Sequence, residues 1–299
     1  MGRENGDIRQ QTRGMDVALI GAGIEHSLSP ALHEREAELL GLDYRYRLSD
    51  LGPQAGDAAH VGEAVERARR EGLRGLNVTH PCKQLVLDAL DHVSSEVAVL
   101  GAVNTVVFTP RGAEGHNTDT SGFRDAFTAG LPGAATDRVV VVGSGGAGAA
   151  VTYALLGLGA GQVRLVDRDQ DRAEDLAAKL AEHFGPGRAV ACGELEPSLA
   201  DADGLVHATP TGMGGGGERA VDPQLLDSRL WVAEVVYVPL NTQLLRDARE
   251  AGCATLDAGG MVAYQAAGSL ELFTGIAPDR ERMAAHAAEL LAGQRAAAR

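Results

Sequence analysis

Val139–Val142 runs directly into Gly143-Ser144-Gly145-Gly146-Ala147-Gly148, and the residues that follow read as a helix. No other stretch restricts the possible folds as much, because strand, tight glycine turn and helix start follow one another without a break. This is G-x-G-x-x-G in the context that gives the pattern meaning. Gly143 permits the tight turn, Gly145 lets backbone approach a pyrophosphate, and Gly148 allows helix and strand to pack closely. Ser144, Gly146 and Ala147 complete a loop whose free amides and positive helix end suit a phosphate group.

The pattern predicts a Rossmann-type parallel sheet that holds a dinucleotide. The next strand ends at Asp167, 24 positions after Gly143, where such a unit places the carboxylate that accepts from the adenosine ribose hydroxyls. A carboxylate there also repels a 2′-phosphate, and Asp169 adds negative charge. Arg168 between them points the other way, since a guanidinium can pair with that phosphate. On balance Asp167 favours NAD, with NADP as the alternative.

Alternation of strands and helices extends over the whole chain and predicts an α/β protein. Strands are expected at Asp16–Ala22, Tyr44–Leu48, Gly75–Thr79 and Val103–Phe108, with helices at about 30–40, 56–71 and 83–90. Pro30 suits a first helical turn, with Ser29 as its cap. The second series has strands at Arg138–Val142, Gln162–Val166, Gly204–Ala208 and Leu230–Val236, and helices at 146–158 and 170–184. Within the latter, Ala173, Leu176, Ala177 and Leu180 mark the buried face. Residues 261–297 read as two helices interrupted near Gly275–Pro278. The first sheet is expected to be mostly parallel, and Gly214–Gly217 reads as a loop tip.

The expected division is a tail at 1–14, a first domain at 15–122, a dinucleotide-binding domain at 123–258, and C-terminal helices at 259–299 that return to the first domain. The polar tail carries no apolar core of a signal peptide, and no run approaches the roughly 18 apolar residues of a membrane span. A net charge of −14 argues against a nucleic-acid partner. Cys82, Cys192 and Cys253 lie far apart and form no metal or disulfide pattern, which fits a reducing cytoplasm. No metal site is expected.

The first half concentrates polar residues in short runs: Ser27-Leu28-Ser29-Pro30, Asn77-Val78-Thr79-His80-Pro81-Cys82-Lys83, Gly101-Ala102-Val103-Asn104-Thr105 and His116-Asn117-Thr118-Asp119-Thr120-Ser121-Gly122-Phe123. Later come Ala208-Thr209-Pro210-Thr211-Gly212-Met213 and Gly260-Met261 with Gln265 four residues beyond. Of 27 basic residues only Lys83 and Lys179 are lysines. In an arginine-rich chain, a lysine inside a motif suggests a task arginine cannot perform.

The order and spacing of these motifs from about Ala18 to Met283 resembles the shikimate dehydrogenases, and the NAD-linked quinate/shikimate branch in particular. The resemblance implies a substrate domain beside a Rossmann domain, with the active site in the cleft between them. It implies Lys83 and Asp119 as the acid/base pair. Ser27 and Ser29 would hold a substrate carboxylate, with Tyr237 approaching it. Thr79, Asn104 and Gln265 would surround ring hydroxyls, supported by Asn77. Thr209, Pro210, Met213, Gly260 and Met261 would line the nicotinamide. His80, His116, Cys82 and Glu234 are expected to have structural roles. The implied reaction interconverts shikimate and 3-dehydroshikimate, with quinate and 3-dehydroquinate as a further pair, in a monomer or homodimer. The alternatives are an aminoshikimate or aminoquinate dehydrogenase, and a non-catalytic dinucleotide-binding module.

Overall fold

The structure is a computed structural model that describes residues 14–215 and 218–297. Residues 1–13 of the expected tail, and two glycines of the expected loop tip, Gly216 and Gly217, lie outside the described residues. The chain separates into two compact units. The first takes residues up to Ser94, then Val103–His116 and Ala266–Met283. The second takes Ser95–Ala102, Asn117–Gln265 and the chain from Ala284. Both are α/β, each built on one six-stranded sheet.

In the first unit the strands are β1 (Met15–Gly21), β2 (Tyr44–Asp50), β3 (Gly75–Val78), β4 (His92–Val93), β5 (Thr105–Thr109) and β6 (Gly112–His116), in the spatial order β2-β1-β3-β5-β6-β4. Its helices are α1 (Ser29–Leu39), α2 (Ala58–Arg70) and the single turn α3 (Cys82–Leu85). The buried face of α2 is Val61, Ala64, Val65 and Ala68, the i, i+3, i+4, i+7 stripe of a helix lying on a sheet. Asp57 caps it by accepting from the Ala59 amide. β1 is parallel to both β2 and β3, but β5 is antiparallel to β3 and to β6. The sheet is therefore mixed. Gly112 and Gly115 hide β6 from a pattern-based reading, since glycine is a poor strand former. They are needed there: a Cβ on Gly112 would lie 2.1 Å from the Asp91 carboxylate, and one on Gly115 2.6 Å from Leu90. The expected helix at 83–90 is shorter than it reads, α3 giving way at once to a 3-10 turn at Val86–Ala89.

The second unit contains α4 (Ser95–Leu100), α5 (Thr118–Gly130), β7 (Arg138–Val142), α6 (Gly146–Gly157), β8 (Gln162–Val166), α7 (Gln170–Phe184), β9 (Ala189–Cys192), α8 (Leu195–Leu199), β10 (Gly204–His207), β11 (Trp231–Glu234), α9 (Gln243–Glu250) and β12 (Ala254–Leu256). Its strand order is β12-β11-β10-β7-β8-β9, parallel throughout. The order reverses direction between β7 and β10, the switch point where such sheets bind ligands. Val139, Val141, Leu155, Leu165, Val206 and Trp231 lie in its main core. The α7 stripe is Ala173, Leu176, Ala177 and Leu180, as the periodicity predicts. Gly204 is bare because Trp231 lies over it, with a Cβ there only 2.0 Å from the indole.

Two last helices, α10 (Gly259–Thr274) and α11 (Arg280–Ala297), are divided between the units. Only residues 266–283 group with the first, a smaller share than the expected 259–299. There Phe273 fills the space beside Gly75, and Arg282 forks onto Glu36 of α1 with contacts of 2.8 and 2.6 Å.

Candidate functional site

In the second unit the glycine loop sits at the switch point. Gly143 has φ 105°, a left-handed conformation open to glycine. A Cβ on it would also strike the Ala208 carbonyl at 2.7 Å and Thr209 at 2.8 Å, so the loops after β7 and β10 abut. Gly148 is held even closer, a Cβ there falling 1.8 Å from the Gly143 oxygen. Gly145 differs: it is extended, precedes α6, and faces nothing within 4 Å. No side chain caps this helix, so its first amides point into the space in front of Gly145. Ser144 is 4% exposed and its Oγ is buried without a partner. An open glycine, uncapped amides and an orphaned hydroxyl fit the pyrophosphate of a dinucleotide.

Asp167 follows β8 and its carboxylate spans two loops. One oxygen accepts from the Ser144 amide at 2.6 Å, the other from the Asp169 amide at 3.0 Å. A carboxylate has about four acceptor positions, so it retains capacity for hydroxyl donors while bracing the glycine loop. Asp169 caps α7 through the Arg172 amide, and Arg168 between them is exposed.

Behind Thr209 lies a buried chain that the motifs did not reveal. His207 Nδ1 meets Glu234 at 2.8 Å, and His207 Nε2 meets the Thr209 hydroxyl at 2.5 Å. Glu234 also accepts from the Val236 amide and from Thr242 Oγ1. Its structural role is thus to tie the ends of β10 and β11 together. Beyond it Met213 is 58% exposed, and the Gly214 amide donates to the Val238 carbonyl. Met261 is 8% exposed in the main core, and Gly260 packs against Ala126.

Asp119 occupies the first turn of α5 and is 6% exposed. Asn117 caps that helix, accepting from the Asp119 amide at 3.0 Å while its own amide nitrogen donates to the Ala102 carbonyl. Glu96 lies nearby in α4, its pKa raised chiefly by burial, with the Asp119 charge adding to the shift. Gln265 is drawn close to α5, a Cβ on Gly122 being 2.9 Å from Gln265 Cβ. Tyr237 follows β11 half-buried, and burial pushes its phenol pKa up.

In the first unit Ser27 and Ser29 follow β1, Asn77 lies in β3, Thr79 and Lys83 follow it, and Asn104 precedes β5. Asp50 fixes the loop after β1, accepting from the Ile24 and Gly52 amides, and those bonds hold its pKa low, the Gly52 bond contributing most. Thr79 presses on Gly21, where a Cβ would lie 2.4 Å from its methyl group. Lys83 is half-buried in α3, and its carbonyl accepts from the Val103 amide. Ser29 is not a cap: Leu28 holds that position. Tyr46 donates to Asn77 Oδ1 at 2.8 Å. Asn77 in turn serves the Asn104 carbonyl and Thr105. The sequence signal for Tyr46 was the alternation Tyr44-Arg45-Tyr46-Arg47, which places both tyrosines on one face of β2.

Residues 19–106 match the shikimate dehydrogenase substrate binding domain, and residues 128–212 the shikimate / quinate 5-dehydrogenase family. The shikimate dehydrogenase (NADP(+)) of Streptomyces avermitilis is 56% identical over 281 residues, 92% of this chain and 95% of that one. The quinate/shikimate dehydrogenase (NAD(+)) of Corynebacterium efficiens is 43% identical, covering 90% and 96%. Among solved structures, the quinate dehydrogenase from Corynebacterium glutamicum in complex with NAD superposes with a TM-score of 0.83 at 42% identity, covering 91% and 97%. A switch-point glycine loop on a parallel sheet, in a chain that also holds a second α/β unit, defines a two-unit dinucleotide-binding protein. Within that class, the chain belongs to the shikimate/quinate dehydrogenase family.

Proposed function

We propose that this chain is a nicotinamide-dependent dehydrogenase that interconverts a ring alcohol and its ketone on a hydroxylated cyclohexane or cyclohexene carboxylate. Shikimate and 3-dehydroshikimate are the first pair, quinate and 3-dehydroquinate the second. The observation that carries this reading is the glycine loop: an open Gly145 before an uncapped helix, next to the buried, unpartnered Ser144 hydroxyl. The nearly full-length relatives supply the substrate class.

When bound, the nicotinamide supplies the hydride acceptor or donor. Lys83 takes the hydroxyl proton during oxidation and returns it to the ketone oxygen during reduction, a task arginine cannot perform near neutral pH. Asp119 balances that charge and orients the amine. Ser27, Ser29 and Tyr237 serve the carboxylate end, and Thr79, Asn104 and Gln265 the ring hydroxyls. Thr209, Pro210, Met213, Gly260 and Met261 border the nicotinamide.

The preferred cofactor is NAD. Asp167 is held as an acceptor by two backbone amides, and its charge opposes a 2′-phosphate. The NADP-linked name of the Streptomyces relative and the exposed Arg168 make this the point to test first. Absorbance of reduced nicotinamide is followed with shikimate or quinate, each paired with NAD+ or NADP+. Turnover with none of the four pairs overturns the reading. Asp167→Asn keeps one acceptor oxygen but removes the charge, and should raise the NADP+ to NAD+ ratio of kcat/KM about tenfold. Lys83→Ala should lower kcat by roughly 10²–10⁴ while NAD affinity holds. Near-native turnover in that variant refutes the assigned proton role.

A further inference from the structure

β10 and β11 run parallel, and their last residues, His207 and Glu234, stand in register with both side chains fully buried. Chemistry orders the contacts around them. The Val236 amide can only donate, and it gives its hydrogen to Glu234 Oε1 at 3.0 Å. Thr242 Oγ1 receives the Leu245 amide as the cap of α9, and its own proton goes to Glu234 Oε2 at 2.9 Å. The carboxylate oxygen that already serves the Val236 amide meets His207 Nδ1 at 2.8 Å as an acceptor, so the ring carries a proton on Nδ1. Nε2 is the nitrogen left to reach Thr209, at 2.5 Å.

That contact fixes how Thr209 is turned. Its Oγ1 also lies 3.1 Å from Thr211 Oγ1 and accepts from the Thr211 amide at 3.3 Å. One proton and two lone pairs thus serve the ring nitrogen, the Thr211 hydroxyl and the Thr211 amide, and the Thr209 hydroxyl is filled from within the chain. A β-branched side chain held by its hydroxyl has its methyl group placed as well. The Thr209 methyl group faces the glycine loop, where a Cβ on Gly143 would lie 2.8 Å from it. Thr209 therefore offers that loop its shape and keeps its hydroxyl behind. A buried histidine–carboxylate pair is costly to desolvate, and well-packed apolar residues often stabilise as much. This pair stands at the carboxyl ends of two strands beside the switch point, immediately before the loop that abuts Gly143.

We infer that His207 is a positioning residue for the dinucleotide: pinned by Glu234, it turns the Thr209 hydroxyl inward and seats the Thr209 methyl group against Gly143. This deepens the proposed function and rests on it. The edge of the nucleotide site next to the glycine loop is then apolar and fixed. Released from His207, Thr209 can rotate, bring its hydroxyl to the glycine loop and withdraw the methyl contact. A valine at this position has a methyl group in both places and does not depend on His207 for its orientation.

The experiment compares Thr209→Ser, Thr209→Val, His207→Leu and the double variant His207→Leu with Thr209→Val. Measured for each are the cofactor-free thermal midpoint and the Kd of NAD+ by calorimetric titration, with NADP+ as the probe if wild type binds it more tightly. Thr209→Ser keeps the bond to His207 and loses the methyl group, and should raise Kd about fourfold, the worth of one buried methyl group. Thr209→Val should keep Kd within twofold, although its thermal midpoint falls because Nε2 loses its partner. His207→Leu should raise Kd about fourfold alone and by less than twofold when added to Thr209→Val, a coupling that a purely structural role would not produce. A larger loss of affinity in Thr209→Val than in Thr209→Ser overturns the inference, as does a folded His207→Leu whose Kd is unchanged or rises equally in both backgrounds. If His207→Leu does not fold, the ranking of the two Thr209 variants decides alone. Wild type that binds neither nucleotide strikes the functional reading instead.

Discussion

Gly145→Ala separates fold from function most cleanly in this chain. Gly145 lies at φ −75° and ψ −170°, which any residue adopts, and a Cβ there would touch nothing within 4 Å. Two small terms of opposite sign then set the stability change. Losing the flexibility of glycine in the unfolded chain stabilises by about 0.4–1 kcal/mol. Alanine is a poorer N-cap than glycine, costing about 0.5–1 kcal/mol. They nearly cancel, so the thermal midpoint without cofactor should move by less than about 3 °C. The new methyl group does occupy the space before the α6 amides. Displacing a pyrophosphate from one or two charge-assisted bonds, about 1.5–3 kcal/mol each, weakens binding by at least ~10-fold and up to ~10⁴-fold. Calorimetric titration with NAD, alongside the thermal scan, measures both. Unchanged NAD affinity in a stable Gly145→Ala protein refutes the placement of the pyrophosphate at this loop.

Gly148→Ala should do the reverse, because its Cβ would lie 1.8 Å from the Gly143 oxygen. Forcing these backbones apart costs about 1–3 kcal/mol, seen as a fall of several degrees in the cofactor-free thermal midpoint. His33 is buried and its pKa is lowered by burial from 6.5 to about 3. The folded state therefore binds fewer protons than the unfolded chain between those values, and stability rises with pH across that window. From pH 6.5 to pH 5 this one group should cost about 2 kcal/mol, and urea titrations of wild type and His33→Asn should differ by that slope. Arg282→Ala leaves Glu36, 2% exposed, with the Asp279 amide but without its guanidinium. A loss of about 3 kcal/mol in urea is expected, only partly restored by Arg282→Lys because the fork is gone.

Legibility in the sequence followed the kind of signal each element carries. The second sheet was readable because its strands are apolar runs buried on both faces, such as Val139–Val142, and because α7 shows an unbroken helical stripe. The β5–β6 hairpin was not, though Thr109-Pro110-Arg111-Gly112 is good turn chemistry, with Gly112 at φ 126°. Its second strand, Gly112-Ala113-Glu114-Gly115-His116, gains its place from what presses on the glycines, namely Asp91, Leu90 and Val103. Tertiary contact sets that strand, and no local propensity records it.

The same division runs through the site. Gly143, Gly145 and Gly148 announce themselves because each meets a backbone requirement, and a backbone requirement restricts residue type at one position. Tyr46, Thr105, His207 and Thr242 meet requirements set by other side chains, spread over positions that only the fold brings together. Glu234 shows the limit well. In sequence it is one acidic residue ending an apolar strand; in the structure its carboxylate takes three partners at the ends of β10 and β11, the His207 ring, the Val236 amide and the Thr242 hydroxyl. A lone buried carboxylate would be costly, and its satisfied network is what makes the position tolerable. Motifs thus report the atoms that touch ligands and backbone. The side chains that hold those atoms in place, Tyr46 behind Asn77 and His207 behind Thr209, form a supporting layer that carries no motif.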